Sequence, residues 1–198
     1  MIAQPATGQW FVASDGQRWW FDPGSIAFDF AYTGGFSGPP EWEHWHEPAD
    51  LARWWRERFG ATVTAGLTID EAGYQRAREL RAAIARAMTA TASDRPIEPA
   101  DADLIDHHAA MPDLPPQLGA PIPATPDRLL AAIAREAAIA LSDPERVRSC
   151  AAADCGLIYL DTSRSGNRTW CSMRRCGNRH KVRQLRARRA ATTKEEQR

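Results

Sequence analysis

Residues 150–181 read CAAADCGLIYLDTSRSGNRTWCSMRRCGNRHK, and they hold all four cysteines of a chain of 198 residues. Cys150 and Cys155 form one C-x4-C pair, Cys171 and Cys176 a second. Four thiolates gathered in one short stretch are what a tetrahedral metal site needs. Zn²⁺ takes four S or N ligands, and a set of four sulfurs leaves no open position for catalysis. The competing reading is a pair of disulfides, which needs an oxidising compartment. Met1 to Trp10, MIAQPATGQW, lacks a basic n-region and an apolar h-region, so a cytoplasmic location is expected, which favours metal over disulfide. The expectation is one structural zinc on Cys150, Cys155, Cys171 and Cys176.

Working outward, Gly156 and Gly177 each follow a cysteine, where a residue without Cβ lets backbone amides turn toward sulfur. Leu157 to Leu160, a turn centred on Ser165-Gly166-Asn167, and Thr169-Trp170 read as strand, turn, strand. From Ser172 to Ala191 there is no proline and one glycine, a helical composition. Knuckle, hairpin and helix in that order resemble a treble-clef zinc finger.

The helix carries the charge. Arg175, Arg179, Arg183 and Arg186 recur at helical spacing as one cationic stripe, with Asn178, Val182 and Leu185 on the adjoining face. Residues 145–198 hold 14 Lys or Arg against 5 Asp or Glu, net +9, whereas residues 1–144 are net −9, so a neutral chain hides two opposite halves. Four thiolates on Zn²⁺ leave the C-terminal part near +7, by about two charges. Such a cluster attracts a polyanion, and a rigid helix suits a duplex groove. The expected contacts are Arg164, Arg168, Arg174, Arg175, Asn178, Arg179, Lys181, Arg183 and Arg186, with double-stranded DNA as partner. A basic tail that aids solubility or docks on the acidic half is the plainer alternative.

Arg148-Ser149-Cys150, Cys155-Gly156, Leu160 to Arg164, Arg168 to Met173, and above all Cys176-Gly177-Asn178-Arg179 with Lys181 resemble the bacterial CGNR zinc finger from about Arg146 to Arg189. The resemblance implies a DNA-binding module of transcription regulators, and it implies an upstream companion, the ABATE domain of stress-induced regulators. Asp22 to Thr33, DPGSIAFDFAYT, resembles the short strand near the start of that companion, typically Leu-Asp-Phe-Val-Asn-Thr, with Tyr32 at the Asn position. Leu51 to Trp55 resembles its next helix, and Leu129 to Arg148 the helix leading into the finger.

On its own terms, the N-terminal half shows a hairpin, Gln9–Ala13 and Gln17–Phe21 around Ser14-Asp15-Gly16, then a third strand over Ser25–Tyr32. Gly34 to Pro40 reads as a loop. Helices are expected over Pro48–Phe59, Ile69–Thr89 (opened by Thr68 and Glu71 in capping-box spacing), Pro99–Ala110 and Thr125–Leu141. Met111 to Pro126, with six prolines, reads as an extended excursion. The fold class is α+β: a mainly α-helical N-terminal domain with a small β-hairpin or meander (residues 1–144), a treble-clef-like finger (145–190) and a flexible charged tail (191–198).

Seven of eight tryptophans precede Arg56, which fits an aromatic core, or a cavity for a small-molecule ligand. Glu43-His44-Trp45-His46-Glu47 and His107-His108 near Asp103 and Asp106 are candidate metal ligands, with solvated loop and helix face as their plainer readings. No H-E-x-x-H, G-x-S-x-G, Walker or dinucleotide pattern occurs, so the reading is a regulator and not an enzyme. An RNA-binding or protein-interaction module is the alternative, and a metal-dependent enzyme built on His44 and His46 the third. No window has the about 18 apolar residues of a membrane span. A homodimer would read two half-sites.

Overall fold

The structure is a computed structural model that describes residues 7–12, 16–34, 36, 43–115, 118–119 and 122–196, the side chains of 190–196 excepted. Strands β1 (Gln9–Val12) and β2 (Arg18–Phe21) form the hairpin expected from the sequence, antiparallel with Gln9 opposite Phe21 and Trp10 opposite Trp20. Ser14 and Asp15 of the expected turn lie outside the described residues. The pleat sends Phe11, Trp19 and Phe21 to one side, while Trp10, Val12 and Trp20 are exposed on the other.

The expected third strand is instead helix α1 (Ile26–Ala31). Ser25 takes an extended conformation and its hydroxyl accepts from the Ala27 amide, satisfying an N-terminal donor that would otherwise be orphaned. All six residues of α1 are buried, so no exposed face marks the period that would separate strand from helix. Burial includes Asp29, whose Oδ2 accepts from Arg58 Nε at 2.8 Å and from the Gly8 amide at 3.2 Å. Loss of solvent pushes its carboxyl up to about 6 even though the Arg58 guanidinium pulls it down.

Helix α2 (Pro48–Phe59) begins with Pro48 in its first turn, and Asp50 accepts from the His46 and Glu47 amides. Helix α3 (Glu71–Ala92) starts later than Ile69 and ends later than Thr89. Asp70, not Thr68, caps it by accepting from Gly73 N at 2.8 Å. Its expected stripe of Ala77, Leu80, Ile84, Ala87 and Met88 is wholly buried. Each of the larger side chains contributes about 1.5–3 kcal/mol of transfer free energy. Helix α4 (Pro99–Ala110) has the expected bounds, and α5 (Pro126–Leu141) is capped by Thr125 accepting from Arg128 N at 3.3 Å.

One continuous core runs through α1, α2, α3, α4 and α5 and takes in Val147 and Ile158 of the finger. Trp45, Trp54 and Trp55 sit inside it, Trp55 with no exposed surface. Trp42 and the loop positions Gly35 and Ser37–Pro40 lie outside the described residues, as do Pro116, Gln117, Ala120 and Pro121 of the proline-rich segment. Among the described residues no helix is long and apolar enough to cross a membrane.

After a short 3₁₀ turn (Pro144–Arg146) come β3 (Val147–Ser149) and β4 (Ile158–Leu160), antiparallel, with Arg148 opposite Tyr159. The finger's hairpin is therefore β3 with β4, not β4 with Thr169-Trp170 as expected. The segment 161–168 does not make a strand turn because Asp161, nearly buried, accepts from the Ser163 and Arg168 amides and closes it as a loop. Gly166, in the left-handed region, packs against the Arg146 guanidinium, with an added Cβ only 3.2 Å from its Cζ. A single π-type turn (Met173–Gly177) leads into α6 (Asn178–Glu196), which runs past the expected end at Ala191.

Candidate metal centre and nucleic-acid interface

Cys150 directly follows β3 and Cys155 comes five residues later, so the first pair occupies the loop of the β3–β4 hairpin. Cys171 follows the Asp161 loop, and Cys176 lies in the π-type turn at the start of α6. All four Sγ atoms lie within 4.8 Å of one another, with Cys155 to Cys171 and Cys171 to Cys176 both at 3.5 Å. A disulfide would place sulfurs about 2.05 Å apart; all four are free. Tetrahedral coordination at about 2.3 Å per Zn–S bond sets sulfurs about 3.8 Å apart, so the spacing fits that group.

The chemistry of the donor set agrees. Proton sharing with Cys155 and Cys171 holds the Cys150 thiol far below its ordinary value. Sharing with Cys150 pushes Cys155 up to about 12, and sharing with Cys150 and Cys155 pushes Cys171 up. Four sulfurs this close cannot all ionise unless a cation balances them. Backbone amides supply part of the balance. Cys171 N lies 3.4 Å from Cys150 Sγ, and the amides of Ala152 and Leu157 face Cys150 and Cys155. Gly156, at φ +69°, makes the turn that presents Leu157, while the Gly177 amide donates to Ser172 O and not to a sulfur.

The cluster is roofed by the N-terminal hairpin. Phe21, Tyr159, Ala152, Cys150, Cys171 and Cys176 form a second apolar cluster, against which Phe11, Trp19 and Tyr32 pack. Leu160 N donates to Pro23 O at 2.8 Å, and Gly24, at φ +81°, passes so near β4 that a Cβ would lie 2.4 Å from Leu160 O.

The chain belongs to the ABATE family. Its model, described as "Putative stress-induced transcription regulator", matches residues 24–144, and the CGNR zinc finger model matches residues 146–189. None of the curated proteins matches the chain. In this ABATE sequence the finger is no pendant module, since its first strands share the helical core.

The nine expected nucleic-acid contacts divide by placement. Arg164, Arg174, Asn178, Lys181, Arg183 and Arg186 are exposed. Arg168 is turned inward: it donates to Trp170 O, Cys171 O and Asp22 O, and its guanidinium lies 4.1 Å from the Tyr159 ring centre. Arg175 lies over the Trp19 ring at 4.6 Å. Arg179 and Arg183 both reach Asp154, at 3.1 and 2.8 Å, a knuckle residue that the sequence reading passed over. Only its place between two cysteines hinted at this role.

The histidines lead elsewhere. Among the described residues the four cysteines are the one group of three or more potential ligands brought together. Burial pushes the Glu43 carboxyl up, but the fork of Arg81, at 2.7 and 2.6 Å, outweighs it and holds the group below its ordinary range. His108 is buried, contrary to the exposed face expected, and burial lowers its imidazole. One cleft among the described residues has no tryptophan on its border. That cleft, about 480 Å³, lies between α3, α4 and the knuckle and is bordered by Phe36, Arg86, Arg95, Asp101, Gly156 and Ile158.

Proposed function

We propose that the protein is a transcription regulator of the bacterial cytoplasm that holds one structural zinc on Cys150, Cys155, Cys171 and Cys176 and binds double-stranded DNA through the start of α6. The observation that carries the reading is the anchoring of a basic helix, at its first turn, to a four-sulfur cluster in a chain of this family. Zinc would supply fold and no chemistry, because a set of four sulfurs leaves no open position. Reduced thiols suit a reducing compartment.

Arg164, Arg174, Lys181 and Arg186 are the contacts best placed for phosphates, with Asn178 at the same edge. Of the stripe seen in the sequence only Arg186 remains in that set, since Arg175, Arg179 and Arg183 have partners within the fold. A ligand of a few hundred Å³ in the cleft bordered by Phe36 and Ile158 would touch the helical body and the knuckle at once, which is where a sensed molecule could change the presentation of α6. A second copy of the chain would let α6 meet two half-sites.

One observation favours a second reading. Trp10 and Trp20 are exposed side by side on the hairpin with Arg18 over Trp10, an aromatic and cationic face of the kind on which unpaired bases stack. Titration of the zinc-loaded chain with duplex and with single-stranded DNA and RNA over a range of salt separates the two. The proposal expects tightest binding to duplex with a steep fall in affinity as salt rises. Preference for single strands would favour the hairpin face, and affinity indifferent to salt would end both.

A further inference from the structure

Arg179 is the last residue of the Cys176-Gly177-Asn178-Arg179 run and the centre of the cationic stripe, yet its guanidinium faces the cysteines. Nη2 lies 3.3 Å from Cys176 Sγ, Nη1 lies 3.1 Å from Asp154 Oδ2, and Nε is buried. Asp154 stands in the loop between Cys150 and Cys155, whereas Cys176 begins the helix. One planar fork therefore spans the two halves of the cluster, knuckle and helix. The Asp154 carboxylate also accepts from both terminal nitrogens of Arg183, at 3.4 and 2.8 Å, one turn further on.

We infer that Arg179 is a positioning residue of the metal site and not a nucleic-acid contact: by joining the Cys176 sulfur to Asp154 it fixes the knuckle against the first turn of α6. This rests on the cysteine cluster holding zinc. Four thiolates around one divalent ion leave about two negative charges in a largely buried cluster. Cys150 and Cys155 have backbone amides near their sulfurs, and Cys176 has the guanidinium. Donors of this kind spread the sulfur charge and orient the ligand. Lysine could keep the charge but not the geometry, because an ammonium on a flexible stem has no rigid fork to satisfy sulfur and carboxylate in fixed directions. Arg183 touches Asp154 but no sulfur, so it supports the anchor and not the ligand.

The test is competition for zinc between the full chain and a chromophoric chelator, for wild type, Arg179→Ala, Arg179→Lys, Asp154→Asn and, as a control, Arg186→Ala. Loss of Arg179 is expected to weaken zinc about 10–100-fold, the usual cost of removing such a partner. Arg179→Lys should recover only part of it, Asp154→Asn should fall in the same direction, and Arg186→Ala should match wild type. Replacing zinc by Co²⁺ gives a second readout, since losing an N–H···S contact should shift the sulfur-to-cobalt charge-transfer band of Arg179→Lys, whose fold is the better preserved. Wild type binding zinc with Arg179→Ala and Arg179→Lys equal to it and spectrally unchanged would overturn the inference alone. Wild type taking up no zinc would overturn it together with the metal reading.

Discussion

The Tyr32 hydroxyl donates to the Ile158 carbonyl at 3.0 Å and accepts from the Ile158 amide at 2.7 Å, so one side chain at the end of α1 completes the backbone pairing of β4. The position is Asn in the family's usual Leu-Asp-Phe-Val-Asn-Thr, and a carboxamide, like a hydroxyl, can donate and accept at once. Phe36 stacks on the Tyr32 ring at 4.5 Å, so the contact also forms a wall of the cleft between body and finger. This bond pair joins the body to the finger.

Tyr32→Phe keeps the ring and removes both bonds. Leaving the Ile158 amide and carbonyl unpaired should cost about 1–3 kcal/mol per orphaned group. Urea unfolding should show a lower midpoint, with the tryptophan signal of the body and the metal signal of the finger shifting together. A finger that melts separately, with the body unaffected, would show that the two are not coupled here.

Removing the metal should unfold the finger. A chelator is expected to strip the metal and lower thermal stability, with added zinc restoring both, and wild type should bind one zinc per chain. Cys176→Ser should take up none at stoichiometric concentrations, because a structural site bound this way contributes folding free energy directly.

Asp29 sets a pH dependence whose direction follows from burial. Its folded value of about 6 exceeds the unfolded 3.8, so the folded state holds the proton more tightly. The stability it contributes is fully present below about pH 3.8 and is lost as pH rises through about 6, some 3 kcal/mol for a shift of this size. Thermal melts of wild type and Asp29→Asn between pH 4 and 7 should therefore converge at the low end and separate at the high end, after correction for the shared background. Parallel curves would show that the Arg58 ion pair keeps the carboxylate at its ordinary value.

The inward and outward arginines should separate by assay. Arg168→Ala loses three carbonyl contacts and the Tyr159 face, so it should destabilise the finger by about 2–4 kcal/mol. Lys181→Ala and Arg186→Ala should leave unfolding within about 0.5 kcal/mol of wild type. Each should weaken DNA and reduce the salt slope by about 1. The reverse pattern would place the interface on the Asp161 loop.

Much of this was legible in the residues. The four cysteines marked the cluster that the fold gathers, because thiols in two close pairs suit a metal ligand set, and α2, α4 and α5 announced themselves by proline at the first turn. Three things were hidden. Ile26–Ala31 is buried on every face, Asp29 included, so neither period shows, and only the Ser25 cap marks a helix. The partner of β4 could not be chosen between Val147–Ser149 and Thr169-Trp170, since what decides it is Asp161 tying Ser163 and Arg168, a contact among loop residues. The stripe of arginines read as one outward surface because helical spacing gives direction but not partners. Asp154 and Trp19, from other elements, take Arg179, Arg183 and Arg175 out of it.

The most direct test of a DNA-binding regulator is retention of randomised duplex DNA by the zinc-loaded chain at near-physiological salt, followed by sequencing of what is held. A defined motif should be enriched, and the enrichment should be lost on metal removal and in Lys181→Ala with Arg186→Ala. Retention of no motif, or of the same motif by the metal-free chain, would contradict it.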